Sequence, residues 1–127
     1  MLFRSVKSIL TKLSTGDSPI VVDDLVMSPT YTKDLAAAVI DILHSGDTGT
    51  FHIANSGSCT WYEFACEIAR QSGYSNVPVI RKSVKDMGGA RRPAYSVLSS
   101  SRRTALRSWQ DALAAYLDEA VAKDGII

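Results

Sequence analysis

Eight of the fourteen lysines and arginines crowd into one stretch: Arg81, Lys82, Lys85, Arg91, Arg92, Arg102, Arg103 and Arg107, with Asp86 as the one acid among them. The stretch carries +7 and the rest of the chain −6, so the net charge is only +1. Such asymmetry favours an anionic partner for one face and argues against a polyanion wrapping the whole molecule. Nucleic acid fits poorly, because the charges do not share one recognisable helix and no zinc spacing or RNA-binding motif accompanies them. Within the stretch, Arg91-Arg92-Pro93 follows Gly88-Gly89-Ala90. A flexible joint therefore leads into a stiff one. The other residues with reactive side chains read as structural. Cys59 and Cys66 have neither CxxC nor metal-ligand spacing and are expected to be free thiols in a reducing cytosol. His44 falls in the last turn of a helix, and His52 alternates with Phe51 and Ile53 in a strand-like run.

The second locus is Val21-Val22-Asp23-Asp24 followed by Leu25-Val26-Met27-Ser28-Pro29-Thr30-Tyr31-Thr32-Lys33-Asp34. The paired valines suit a short strand and the paired aspartates its exit. Pro29 fixes a loop, Thr32 is an N-cap candidate, and Asp34 lies in the first helical turn. A strand, loop and helix in this order present side chains and helix N–H groups to whatever lies above the sheet.

The elements that must position these residues follow from periodicity. Residues 3–14 predict a helix with Phe3, Val6, Leu10 and Leu13 on one stripe, ended by Gly16. A strand over 20–23 and a helix over 33–44 come next, the helix with an apolar face of Leu35, Val39, Ile42 and Leu43. A second strand is expected over 50–55, with Asn55 to Ser58 as a turn. Thr60 and Glu63 form a capping box for a helix reaching Ser72, with Trp61, Phe64, Ala65, Ile68 and Ala69 inward. A third strand is expected over 77–80, one helical turn over 83–87 and a short extended piece over 96–98. Ser108 caps a last helix whose stripe is Trp109, Ala112, Leu113, Tyr116, Leu117, Ala120 and Val121. At 127 residues this is one domain over 1–127, of α/β class, with a small, largely parallel sheet and about four helices. No apolar run approaches the ~20 residues of a membrane span, and the N-terminus does not read as a signal or transit peptide. The first helix has no strand before it to pack beneath, which fits a chain that begins in the middle of a larger fold.

Five blocks in order carry a resemblance: the strand-loop-helix run above, Gly49-Thr50-Phe51-His52-Ile53-Ala54-Asn55-Ser56-Gly57, Cys59-Thr60-Trp61-Tyr62-Glu63-Phe64-Ala65, Arg91-Arg92-Pro93-Ala94-Tyr95-Ser96-Val97-Leu98, and Leu106-Arg107-Ser108-Trp109-Gln110-Asp111-Ala112-Leu113. The chain resembles the substrate-binding half of the dTDP-4-dehydrorhamnose reductases, which are extended short-chain dehydrogenases/reductases, from about residue 3 to about residue 117. It departs at Met27, where the family commonly has glycine. The resemblance implies the C-terminal part of an extended Rossmann-type reductase. It also implies, in a complete enzyme, NADPH, a glycine-rich turn and a catalytic Tyr-x-x-x-Lys. This sequence has no G-x-x-G-x-x-G or G-x-G-x-x-G. Four residues beyond Tyr31, Tyr62, Tyr74, Tyr95 and Tyr116 stand Leu35, Cys66, Pro78, Ser99 and Ala120, none of them lysine. No catalytic residue, no cofactor and no metal are therefore expected for this chain alone.

What the resemblance leaves is the half that closes over a nucleoside diphosphate-sugar. It carries a diphosphate contact to Arg91 or Arg92, whose competing role is a salt bridge to Asp23 or Asp24. Ser28 and Thr30 are candidates for hydroxyl contacts, with turn and capping bonds as their competing role. The expected partners are a dTDP-sugar, bound weakly or not at all in isolation, and a second copy of the chain in a homo-oligomer. Apolar patches on the first and last helices would drive that assembly. Nucleic acid and membrane are not expected, and the location is cytoplasmic. The rival reading is a free-standing, non-catalytic binding or oligomerisation module derived from the same family.

Overall fold

The computed structural model describes residues 2–124, with side chains from residue 6 to residue 123. Its core is a layer of three helices, α1 (Leu2–Ser14), α3 (Trp61–Gln71) and α4 (Trp109–Asp124). Helix α3 is central. Phe64, Ala65, Ile68 and Ala69 are buried, with α1 supplying Val6, Ile9, Leu10 and Leu13 and α4 supplying Trp109, Leu113 and Leu117. Phe64 meets Trp61 and Trp109 edge-on, at centroid distances of 6.2 and 5.7 Å. The predicted stripes of α1 and α4 thus point inward, although Phe3 belongs to the side chains outside the described set. Helix α1 needs no strand because it packs on α3.

The capping box forms as the sequence predicts. The Thr60 hydroxyl accepts from the Glu63 N–H (3.1 Å), and the Glu63 carboxylate accepts from the Thr60 N–H (2.8 Å). The Ser108 hydroxyl accepts from the Asp111 N–H at the start of α4. Helix α2 (Thr32–Ser45) departs from expectation at its start. Its N-cap is Tyr31, with no side-chain cap, and Thr32 is the first helical residue. The Tyr31 N–H is taken by the Asn55 side chain at 2.7 Å, which holds Tyr31 extended and leaves Thr32 inside the helix.

The strands are short and lie in three sheets instead of one. β1 (Ile20–Val22) pairs in parallel with β5 (Ile80–Lys82). β2 (Val26–Met27) lies between β4 (Cys59–Thr60), antiparallel, and β6 (Tyr95–Ser96), parallel. β3 (Asn55–Ser56) pairs in parallel with β7 (Leu106–Ser108). The class is α/β with mostly parallel pairing, as expected. Two strand assignments need correction. Residues 50–54 alternate like a strand but have no neighbouring strand, so only Asn55–Ser56 enters a ladder. The strand expected over 77–80 begins at Ile80, because Pro78 has no N–H to give a ladder; the first bond runs from the Ile80 N–H to the Pro19 carbonyl (2.9 Å).

The exposed apolar surface is also not where it was expected. Helices α1 and α4 bury their stripes on α3, whereas α2 buries no residue and leaves Val39, Ile40 and Leu43 44%, 52% and 72% exposed. The core depends on α3, so Phe64→Ala should cost about 3–5 kcal/mol, and Thr60→Ala, which removes only the cap, about 1 kcal/mol. Urea denaturation followed by circular dichroism checks both; equal losses would show that the α3 packing does not dominate.

Candidate functional site

The two loci singled out in the sequence meet along β2. The Val26 N–H donates to the Ala94 carbonyl (2.9 Å), and the Ser96 hydroxyl donates to the Val26 carbonyl (3.2 Å). One step further, the Ser28 hydroxyl accepts from the Leu98 N–H (2.9 Å). Residues 94–98 are in this way zipped to residues 26–28. Arg91-Arg92-Pro93 forms the exposed lead-in to that strip, behind Gly88 and Gly89, which adopt φ +63° and +87°. A side chain at either glycine would be strained in that conformation.

The basic stretch divides into two groups. Arg81 pairs with Asp23 (3.2 Å) and lies over the Tyr62 ring at 4.2 Å. Arg102 donates to the carbonyls of Thr48 and Thr50, both at 3.1 Å, and covers the Phe51 ring. Arg103 reaches Ser45 and Asp47, and Arg107 grips Asp34 with two bonds, 2.9 and 2.7 Å. Arg91 and Arg92 are exposed and form no hydrogen bond or ion pair among the described residues. The competing salt bridge to Asp23 or Asp24 does not form. Asp23 belongs to Arg81, and Asp24 accepts from the Ser83 hydroxyl (2.6 Å) and the Val84 N–H (2.9 Å), bonds that hold its carboxyl below the usual range.

Ser28 and Thr30 are placed beside this strip, but their hydroxyls have structural partners. Ser28 is engaged with Leu98, and Thr30 donates to the Ser28 carbonyl (3.3 Å). Met27, in the place where the resemblance expects glycine, packs its side chain against the helical core and leaves the loop uncrowded. Beyond Leu98 opens a cleft of about 580 Å³ between α2 and the 52–58 and 97–106 segments. Ser58, Ser99 and Thr104 supply hydroxyls to its wall. His52 lines it too, exposed.

A node that the sequence did not reveal anchors the site. Asn55 is 2% exposed. Its side chain accepts from the Tyr31 N–H and donates to Asp34 (2.8 Å) and to the Arg107 carbonyl (3.2 Å). Arg107 above all, with help from Asn55, holds the Asp34 carboxyl below its ordinary range against the opposing effect of burial. Next to it, burial and the Glu119 carboxylate, to which its hydroxyl donates, push Tyr31 up to about 12. Lys123, Tyr31 and Lys33 hold Glu119 down at about 2. These partners lie 21 to 88 residues apart in the chain, so no local pattern could reveal them. Cys59 is buried, which pushes its thiol up to about 12 and leaves it unreactive; Cys66 is also free. No three His, Cys, Asp or Glu residues are grouped to hold a metal ion, and no helix is long and apolar enough to cross a membrane, among the described residues.

Residues 4–122 match the model of the RmlD substrate binding domain. A spore coat polysaccharide biosynthesis protein of Bacillus subtilis, SpsK, is 42% identical over 119 residues, which are 90% of this chain and 41% of that protein. A dTDP-4-dehydrorhamnose reductase of Mycolicibacterium smegmatis is 36% identical over 117 residues, 82% of this chain and 34% of that protein. Among solved structures, a dTDP-4-dehydrorhamnose reductase from Clostridium acetobutylicum superposes with a TM-score of 0.83 at 36% identity, over 90% of this chain and 42% of that one. A Bacillus anthracis counterpart solved in complex with NADP gives 0.82 at 30% identity, over 91% and 42%. The chain belongs to the RmlD substrate-binding domain family, and it spans about two fifths of the length of these relatives.

The Asp34–Arg107 pair gives a pH signature. A carboxyl whose pKa is lowered on folding stabilises the fold above its unfolded value, near 3.9, and that stability is lost as pH falls through the folded value. Arg107→Met should therefore cost about 1–2 kcal/mol at pH 7, the exposed side of the guanidinium limiting the loss. The difference from wild type should shrink below pH 4. Urea titrations at pH 7 and pH 3 measure it; an equal difference at both would mean the ion pair is not its source.

Proposed function

We propose that this RmlD-type domain is the C-terminal, sugar-nucleotide-binding part of an NADPH-dependent dTDP-4-dehydrorhamnose reductase. The parent reaction reduces the 4-keto group of dTDP-6-deoxy-L-lyxo-4-hexulose and gives dTDP-L-rhamnose. Hydride donor and tyrosine acid belong to the cofactor-binding part, and this chain alone reduces nothing. Its setting is the cytoplasm.

The observation that carries the reading is the free arginine pair. Four other arginines of the basic stretch are spent on internal partners, while Arg91 and Arg92 stand exposed beside the β2 loop. A guanidinium is a planar fork that matches phosphate oxygens two at a time. No existing ion pair has to break before these two bind a diphosphate. The left-handed Gly88-Gly89 joint lets them swing toward it, while Pro93 and the Ala94–Leu98 zip keep the far end fixed. Ser28 and Thr30 shape the floor beneath the ligand. The sugar and base extend toward the cleft lined by Ser58, Ser99 and Thr104.

Two charge-assisted contacts in solvent contribute about 4 kcal/mol together, which corresponds to a Kd of about 1 mM. Calorimetric titration of the chain with dTDP should give saturable heat in this range. Arg91→Ala with Arg92→Ala should weaken it at least fivefold, and pure protein should oxidise no NADPH. Undiminished heat in the double variant would remove the arginine assignment; absence of any heat would remove the prefolded nucleotide site.

A further inference from the structure

Helix α2 is the one long helix of the described fold that buries nothing. Its outer face is nonetheless apolar and regular. Thr32, Ala36, Val39 and Leu43 recur at spacings of four, three and four, which is the seam of a two-helix coiled coil. Ile40 broadens the seam, and Val39, Ile40 and Leu43 are 44%, 52% and 72% exposed. The apolar surface continues beside the helix into a shallow groove floored by Phe51 and Ile53 and rimmed by Leu98, itself 49% exposed. Soluble proteins rarely leave such a strip uncovered.

We propose that a second copy of this chain covers it, through an antiparallel pairing of α2 with α2 about a two-fold axis between Val39 and Ile40. The pattern is self-complementary in that arrangement. Residue numbers that sum to 79 face each other, so Ala36 of one copy meets Leu43 of the other, small against large. Val39 meets Ile40 in the same way. No charged residue interrupts the seam. Lys33 flanks it in the first turn, and Asp47 lies just past Gly46, the C-cap. Antiparallel pairing brings each lysine to the other copy's aspartate and sets the two helix dipoles head to tail. A parallel pairing would set Lys33 against Lys33 and Leu43 against Leu43.

The size of the contact sets its strength. A helix of 14 residues is about 21 Å long and buries roughly 300–400 Å² per partner along one stripe. A standard stable complex buries about 800 Å² per partner. The expected assembly is therefore a concentration-dependent dimer with a Kd of order 100 µM.

Sedimentation velocity of the intact chain from about 5 µM to about 1 mM tests this. The mass should rise from monomer toward dimer across that range. Leu43→Glu should abolish the rise, and Ala36→Leu, which fills the space facing Leu43, should weaken it at least tenfold. Both positions are exposed, so the thermal midpoint of each variant at 5 µM should match wild type and separate lost pairing from lost folding. Val121→Glu, at an apolar position 42% exposed on α4, should leave the dimer intact. A monomer at 1 mM would leave the face to a different protein and overturn the proposal. A dimer that survives Leu43→Glu would put the contact elsewhere and overturn it equally. The dTDP titration is done on dilute monomer, so its outcome is independent of this one.

Discussion

The site rests on the requirement that a buried amide be fully hydrogen-bonded. Asn55 is almost entirely out of water, and each unpaired polar atom there would cost about 1–3 kcal/mol. Three partners remove that cost: a backbone N–H before α2, a carboxylate in its first turn, and a backbone carbonyl of β7. The same three bonds fix where α2 starts. They thereby fix the end of the Ser28-Pro29-Thr30 loop, whose other end is tied to Leu98. Arg107 reinforces the arrangement from a second direction, because its backbone carbonyl receives Asn55 while its guanidinium holds Asp34. Satisfying one polar group thus orders a loop, a helix start and a strand together.

Charge is distributed by the same economy. The basic stretch looks uniform in the sequence, yet most of its arginines work as internal fasteners. Arg102 holds the 48–51 turn through carbonyls and the Phe51 face, at a place where Gly49 leaves room for the guanidinium; a Cβ there would approach it within 2.7 Å. Arg103 ties the end of α2 to the segment after the strip. Once these are subtracted, the positive charge left without partners in this stretch includes Arg91 and Arg92, next to the loop that the Asn55 node orders. Counting charge along the chain could not make this separation, since it depends on which acid or carbonyl each arginine meets in space.

The difference between what was legible and what was not follows the range of the forces involved. Helices α1, α3 and α4 were legible because their hydrogen bonds and apolar stripes repeat every few residues, and the Thr60–Glu63 box lies within four. Strands were harder, because a strand exists only where another pairs with it. Residues 50–54 have the alternation without the partner, and Pro78 pushed the third strand to Ile80–Lys82. The apolar face of α2 was legible as a face, but which way it points was not, since periodicity does not name the neighbour. The family was legible in the order of five blocks, and Arg91 and Arg92 with it. The Asn55 node was invisible, because its members had been read separately as a turn residue, a helix-start acid and one base among eight.

The thinness of the sheets bears on how the strip works. Each strand is only two or three residues long, so the three-helix layer carries the stability and the ladders carry alignment. Residues 88–98 contribute no buried side chain and are held by a handful of backbone bonds to residues 26–28. A segment of that kind opens at far lower cost than the helical core. The arginines therefore ride on the part of the fold that moves most cheaply, hinged at two glycines and fastened to the most rigidly ordered loop. A ligand that engages both guanidinium groups would order this segment onto β2. That ordering is what a substrate half requires if it is to close on its ligand without disturbing the core beneath it.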